Sequence, residues 1–502
     1  MVDVGLFMAE EHVDYKRAAK TTFLFSAVQV ISTLCAIVKN KIIAVLLGPT
    51  GVGLISVFNT YINFVKTGAC LGLSQSAVRD ISEAYEADNK DRFSRIISLT
   101  NKLVLMTSGL GILVTVIMSP FFSKWGFGSS NYVWSFVLLS LSVGFQIYSE
   151  NRLAILRGMR RMRSLAWSTI IGAVAGLVIS VPFYYWMGND GIVPTLLLSA
   201  FVSVIATNLF VNRIKYDRIK LNAKEIISEG KPMIQMGLAL MLVNFLSGIT
   251  DTIIISYLRG AGGLDIVAFF GAGRTIIGSY FGVVLVAMTT DYYPRICGIY
   301  KDNARLAEEV NAQSKLGMVM VLPLAVIFIA FASLFIPLLY SNDFTQVALY
   351  TDWALLGTLI TIPANCIGMI LLAKQAAKLF TTISVCVNLF NIILYIGTYH
   401  WLGLTGLGFA AVINVAVQWL VQSLVVKNKY GIFFSKECNL MLVVVLAISL
   451  MAVLAKRIEN SVMMYSVQSA ILIVSGILAL YWSKKMNIDI LGFVKNKIGV
   501  KK

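Results

Sequence analysis

Four cations stand inside stretches that are otherwise apolar enough to cross a bilayer: Lys39, Lys41, Lys66 and Arg274. A charge near mid-membrane costs roughly 3 kcal/mol on insertion scales, so a chain keeps one there chiefly where it faces a wet cavity or a partner. Arg274 is the clearest case, several residues inside the run FFGAGRTIIGSYFGVVLVAMTT (269–290). Gly271, Gly278 and Gly282 fall near one face of that run at helical spacing, which lets a neighbour or a ligand come close. Neutral polar residues extend the pattern. Gln29, Ser32 and Lys39 stand at i, i+3 and i+10, Asn59, Asn63 and Lys66 at i, i+4 and i+7, and Asn244, Ser247, Gly248 and Asp251 form a third set. Each set makes one stripe along a helix and lines a polar cavity. Lys41 points about 200° away from Lys39 and lies near enough to the outer end to snorkel, so its place in the anion site is the weakest of the four.

The sign of such a cavity selects its ligand. Three or four cations against Asp251, with Glu150 and Asp291 nearer the inner ends, leave a net positive lumen that suits an anion. A lipid-borne pyrophosphate fits: Lys39, Lys66 and Arg274 can follow it across while the tail stays in the bilayer. With the inside negative, moving about two negative charges outward gains roughly 4–5 kcal/mol at ~100 mV. Asp251 has two readings: a plain counter-ion for Arg274, or a carboxylate that takes up H⁺ or Na⁺ and hands Arg274 to the ligand. Asn388 with Asn391, and Asn414 with Gln418, read as interhelical hydrogen bonds. His12 and His400 are too few and too far apart for a triad or a zinc site, and the six cysteines show no CxxC spacing. The expectation is therefore no cofactor, no metal and no disulfide.

The elements that position these residues follow from composition. A chain of 502 residues that is 58% hydrophobic and 13% charged is an all-α polytopic membrane protein, and its apolar runs give about fourteen spanning helices. The polar start precedes the first apolar run, so no cleavable signal is read. Of 42 Lys and Arg residues, 34 fall in segments that lie inside if the N-terminus is inside, and four (Lys124, Arg259, Lys456, Arg457) fall outside. That asymmetry puts both termini in the cytoplasm. The turn and helix GPTGVGLISVFNTYINFVKTG answers to GAGGLDIVAFFGAGRTIIGSYFG at an offset of roughly 213 residues. Two six-helix lobes in parallel orientation result, residues 1–230 and 231–437, with a two-span hairpin and basic tail over 438–502, and binding is expected between the lobes near the midplane. The charged inner loops, SEAYEADNKDRFSR and YKDNARLAEEVNAQSK among them, read as amphipathic surface helices on anionic headgroups. The RGMRRMR cluster (157–163) either sets topology or meets a lipid-linked phosphate at the entrance.

The stretches AVLLGPTGVGLISVF, AVRDISEAYEADN, DYYPRICGIYKDN and LLYSNDFTQVALYTDWALLG resemble the O-antigen flippases, polysaccharide transporters of the multidrug/oligosaccharidyl-lipid/polysaccharide superfamily. The resemblance covers roughly 20–430. It implies a non-enzymatic flippase of the bacterial inner membrane that moves undecaprenyl-pyrophosphate-linked oligosaccharide by alternating access through a cationic cavity. It also implies as partners the lipid-linked substrate, membrane lipids, and a polysaccharide polymerase with its chain-length regulator; no nucleic acid is expected, and the protein is read as a monomer. The added C-terminal hairpin departs from twelve-helix members and is similar to the fourteen helices of peptidoglycan lipid flippases. Two other functions compete. A multidrug cation exporter driven by H⁺ or Na⁺ shares the fold but wants acidic residues in its lumen, and a membrane-embedded glycosyltransferase or polymerase wants a large outer loop or a DxD-like metal site.

Overall fold

A backbone surrounded by hydrocarbon has no water to bond and satisfies itself along its own helix. The computed structural model describes the backbone of residues 3–486 except Asp88, Arg218 and Lys220, and side chains from Val30 onward except some positions between 86 and 291. Among the described residues the chain forms fourteen α-helices and no strand. They are α1 (Asp3–Ala69), α2 (Leu73–Glu86), α3 (Lys90–Phe127), α4 (Val133–Gly158), α5 (Met162–Met187), α6 (Ile192–Val211), α7 (Ala223–Thr275), α8 (Gly282–Gly298), α9 (Asn303–Ala330), α10 (Ala332–Leu339), α11 (Val347–Ala373), α12 (Ala377–Tyr430), α13 (Lys436–Ala455) and α14 (Ser461–Lys485).

Nine described stretches are long and apolar enough to cross a membrane, and four of these run 40, 50, 41 and 54 residues, about twice the ~20 residues one crossing takes. Each of the four turns back on a glycine. Gly48, Gly188, Gly263 and Gly403 take φ of +65°, +57°, +78° and +58° with ψ of −170°, −131°, −175° and −137°, a region closed to residues with a Cβ. Divided there, and with the 26-residue α4 counted, the chain supplies the fourteen crossings expected. The glycines also mark the duplication: 48 to 263 and 188 to 403 are the same step of 215 residues, close to the offset read from sequence.

The chain packs into two compact units, Met1–Ala268 and Phe269–Lys502. The division follows packing and not the repeat, because the second half of α1 lies antiparallel along α7. Thr50 Oγ1 donates to Asp265 Oδ1 at 2.8 Å, and Tyr61 donates to Ser256 Oγ at 2.7 Å, whose own hydroxyl is given to the Thr252 carbonyl. Phe64 stacks on Phe245 with centroids 5.3 Å apart. At Gly72, φ is +64° and a Cβ would collide with the Gly237 carbonyl, so glycine is needed there twice over.

In the first unit α2 is amphipathic, as read from sequence, but its apolar face meets protein. Leu73, Ala77, Ile81 and Ala84 are fully buried in a cluster with Ile97, Ile155 and Leu156. The same periodicity serves lipid or protein, and here the protein supplies the apolar partner. The start of α7 is held to α3 by the Arg95 guanidinium, whose Nε donates to Glu229 at 2.9 Å and holds that carboxyl below the usual range. The folded value being depressed, this contribution is present at neutral pH and is lost as pH falls through it; both groups are solvent-exposed, so it is small.

In the second unit α9 and α11 form the centre, with Val310, Leu322, Ile329, Leu355, Leu359 and Ile367 wholly buried. The α13–α14 hairpin is tied to this core at both ends of α13. Lys315 Nζ donates to Glu437 at 2.9 Å, and Lys456 Nζ donates to both oxygens of Asp352 at 2.6 and 2.7 Å. The latter two side chains are only 22% and 12% exposed. Lys456→Met should therefore cost about 3 kcal/mol, the low end for stranding a buried carboxylate, and adding Asp352→Asn should recover most of it. Thermal unfolding of the detergent-solubilised protein checks this; equal losses in single and double variants would show that the pair carries no coupling.

Candidate functional site

Buried aromatic packing fixes which way α1 turns its polar stripe. Val57, Phe58, Tyr61, Ile62 and Val65 are 0–4% exposed, and Phe58 and Tyr61 sit in an aromatic cluster with Phe122, Phe127 and Phe136. Phe58 to Phe127 is 4.9 Å between centroids, Phe58 to Phe136 5.3 Å and Tyr61 to Phe122 4.9 Å. Such pairs are worth ~0.5–1.5 kcal/mol each beyond burial, against ~0.6 kcal/mol for an interhelical polar contact in a bilayer. Packing therefore sets the rotation. The opposite face carries Asn59, half-buried, Asn63, exposed, and Lys66, half-buried. Among the described residues neither amide has a hydrogen-bond partner. Lys66 Nζ lies 3.7 Å from Glu150 Oε2, both partly exposed, a loose pair that contributes little.

On the first half of α1 Lys39 and Lys41 are half-buried, and the Ser32 hydroxyl is buried without a hydrogen-bond partner among the described residues. The side chains of Gln29 and Asp291, both named from sequence, lie outside the described residues. On α7 the third stripe behaves like the second. Ile254, Ile255 and Leu258 are 0–3% exposed, while Asn244 is exposed and Ser247 and Asp251 are half-buried. Ser247 turns its hydroxyl back to the Val243 carbonyl at 3.1 Å, which satisfies it within its own helix.

In the second unit Arg274 is exposed, with its Cζ 5.6 Å over the Phe270 ring one turn earlier. Phe270 is buried, 1% exposed, held edge-on by Tyr350 at 5.2 Å and Tyr395 at 5.7 Å. Gly273 lets Tyr350 come in, because a Cβ there would collide with its ring. One residue after Thr275 the helix widens into a π-turn, Ile276–Phe281, a feature that recurs at functional sites. The extra residue rotates the next stretch of helix by about 100°. Gly271, Gly278 and Gly282 therefore do not keep the common face assigned to them at 3.6 residues per turn.

Two features escaped the sequence reading. Arg152, counted among the loop cations, is half-buried on α4; its Nε donates to Tyr148 Oη at 3.0 Å and its Nη1 to Asn101 Oδ1 at 3.2 Å, and Asn101 in turn donates to Tyr216 at 3.1 Å. The i, i+4 spacing of Tyr148 and Arg152 was a visible signal; Asn101 and Tyr216 are too distant in sequence to be one. The Asp352–Lys456 pair, 104 residues apart, is the second. Taken together, these groups offer electrostatic attraction along helix faces that are not closed by packing. Among the described residues no group of His, Cys, Asp or Glu could hold a metal ion.

A family profile described as "Polysaccharide biosynthesis protein" matches residues 18–300, more than half of the chain. The lipid III flippase of Escherichia coli (strain K12) is 24% identical over 393 residues, which is 76% of this chain and 91% of that protein; the lipid III flippase of Shigella flexneri matches to the same extent. Among solved structures, the lipid II flippase MurJ in an inward closed conformation superposes with a TM-score of 0.64 at 17% identity, over 92% of this chain and 99% of that one. An inward-facing multidrug resistance MATE family transporter of the MOP superfamily gives 0.64 at 19% identity, over 81% and 98%. At these identities the likeness to the structures is one of fold.

The stripes give a direct expectation. In a background lacking the native cysteines, Asn63→Cys should react with a membrane-impermeant maleimide, because a thiolate forms only where water reaches. Phe58→Cys and Ile62→Cys should stay unlabelled. Equal labelling on both faces would mean that α1 is turned otherwise.

Proposed function

Since this chain belongs to the polysaccharide biosynthesis protein family, we propose that it is a flippase, a transporter and not an enzyme, for a lipid-linked oligosaccharide. Its substrate is an undecaprenyl-pyrophosphate-linked unit of O-antigen or a similar surface polysaccharide, carried from the cytoplasmic to the outer leaflet of the bacterial inner membrane. The lobes are 1–230 and 231–437, with the 438–502 hairpin and tail appended, and they alternate in opening a cationic passage.

The observation that carries this reading is Arg274, a full charge kept inside an apolar span and braced on Phe270. Lys39 and Lys66, with Lys41 closer to the end, extend the cationic path. Gln29, Asn59, Asn63, Asn244 and Ser247 line it, and Asp251 is the candidate for ion coupling. The similarity to lipid III flippases supports the substrate class. A cation exporter, which the MATE-like fold also admits, would carry carboxylates where this chain carries lysine and arginine.

The experiment is reconstitution into liposomes with labelled undecaprenyl-pyrophosphate oligosaccharide and measurement of its appearance in the outer leaflet. Arg274→Ala should lower the rate about tenfold or more, one lost charge-assisted contact, with membrane insertion unchanged because removing the charge relieves an insertion cost. Arg274→Lys should recover only part, lacking the planar fork that grips a phosphate. Export at the wild-type rate by Arg274→Ala would make the arginine structural, and efflux of organic cations without lipid flipping would favour the exporter. Asp251→Asn should abolish any dependence of the rate on a pH or Na⁺ gradient; combined with Arg274→Gln it recovers protein abundance if the two are a simple ion pair.

A further inference from the structure

A cleft of about 790 Å³ opens in the first unit among α2, α3, the turn between α4 and α5, and the stretch after α6. All these segments carry the charges that sequence assigns to the cytoplasmic side. Its lining is strongly one-sided in charge. Lys90, Arg161, Arg213 and Lys215 line it against a single described carboxylate, Asp217. None of the four cations is in an ion pair among the described residues. Such a concentration of like charge repels itself, and an anion relieves it.

The cleft is built into the fold. From 213 to 217 exposure alternates: Ile214 is buried and Tyr216 half-buried, while Arg213, Lys215 and Asp217 are exposed, and the chain leaves α6 through a turn in which the Ile214 N–H donates to the Val211 carbonyl at 3.0 Å. That chain is pinned to α3, for the Asp217 N–H donates to Ser94 Oγ at 3.2 Å and the Ile219 N–H to Ser98 Oγ at 3.2 Å. The two serines stand one helical turn apart on α3 and so share one face. Tyr216 accepts from Asn101, which links the wall to Arg152. Across the cleft Lys90 opens α3, whose first turn is capped by Asn89, so the helix N-terminus adds partial positive charge on the same side. Tyr85 and Phe93, 5.8 Å apart, supply an apolar wall.

We propose that this cleft binds the phosphate or pyrophosphate headgroup of an anionic amphiphile at the cytoplasmic surface, with Arg161, Arg213, Lys90 and Lys215 as the phosphate ligands. A volume of this size suits a headgroup and not a protein surface, which would need a broad flat patch. Guanidinium and ammonium groups around a phosphate are the usual recognition chemistry. The arginine-rich turn at 157–163 thereby acquires, through Arg161, a role beyond setting topology. The identity of the lipid tail rests on the flippase reading above, whereas the preference for phosphate rests on the cleft alone.

Lysine footprinting on the full-length protein in phosphatidylcholine nanodiscs tests it. The protein is acylated with an amine reagent in the presence of inorganic pyrophosphate, farnesyl pyrophosphate or dihexanoyl phosphatidylglycerol, and modification is read by mass spectrometry. Lys90 and Lys215 should be protected about tenfold, as expected of charge-assisted phosphate contacts, with Lys301 unprotected as the control. The double variant Arg161→Gln/Arg213→Gln should lose that protection while unfolding at the wild-type temperature, since neither arginine has an ion pair among the described residues. Stronger protection by farnesyl pyrophosphate than by the other two assigns a lipid-linked pyrophosphate; equal protection by phosphatidylglycerol assigns bulk anionic lipid, and equal protection by inorganic pyrophosphate assigns the free anion. Protection that survives in the double variant, or no protection by any phosphate at millimolar concentration with protection by polyaspartate instead, overturns the proposal. Failure of the flippase reading is separate, because it appears as absence of lipid flipping whatever the footprint shows.

Discussion

A peptide group in hydrocarbon must find its hydrogen-bond partner along its own helix, and the rest of this chain depends on that constraint. A chain so constrained reverses only where it leaves the lipid, and the tightest reversals need a backbone conformation that only glycine adopts cheaply. Gly48, Gly188, Gly263 and Gly403 supply it. With the backbone settled, the remaining freedom is the rotation of each helix about its axis. Large buried side chains decide that. The cluster of Phe58, Tyr61, Phe122, Phe127 and Phe136 outweighs the polar contacts that Asn59 and Asn63 could make, so the amides are left facing away from the packed core.

This hierarchy explains which features are legible in the sequence. Spans are legible because twenty consecutive apolar residues have few other uses in a chain of this composition. The duplication is legible to within two residues; apolar runs give its approximate offset, whereas the turns set its frame. Arg274 stands out as a charge in an apolar run, and Phe270 at i−4 is within reach of periodicity. Tyr350 and Tyr395, which hold Phe270, come from α11 and α12 and leave no local trace. Nothing in the residues IIGSYF announces a π-turn. The amphipathic α2 shows the limit most plainly: its apolar face is visible, but the pattern is the same whether lipid or protein covers it.

The cations inside the spans differ in how they are held. Lys66 has a carboxylate nearby in Glu150, which lowers the local field it offers to any other anion. Arg274 also stacks on the aromatic ring of Phe270. Stacking uses the face of a guanidinium and phosphate recognition uses its edge, so the one does not compete with the other. A lysine at 274 would keep the charge and lose both geometries.

The duplication sharpens the meaning of this asymmetry. A step of 215 residues, the separation of Thr50 and the Asp265 that it hydrogen-bonds, carries Gln29 onto Asn244, Ser32 onto Ser247 and Asn59 onto Arg274. The two halves thus keep polar side chains at these three places, but their cations do not repeat: Asn59 matches Arg274, while Lys39 and Lys66 match Ile254 and Phe281. A ligand shifts an equilibrium between two arrangements only by as much as it binds one better than the other. Two halves with the same charge at matching positions would hold an anion equally and give it no preferred partner. An amide at 59 and a guanidinium at 274 are not equivalent toward an anion, because the charge-assisted bond is about twice as strong as the neutral one. The turn glycines, which fix geometry, recur in both halves, and the cations do not.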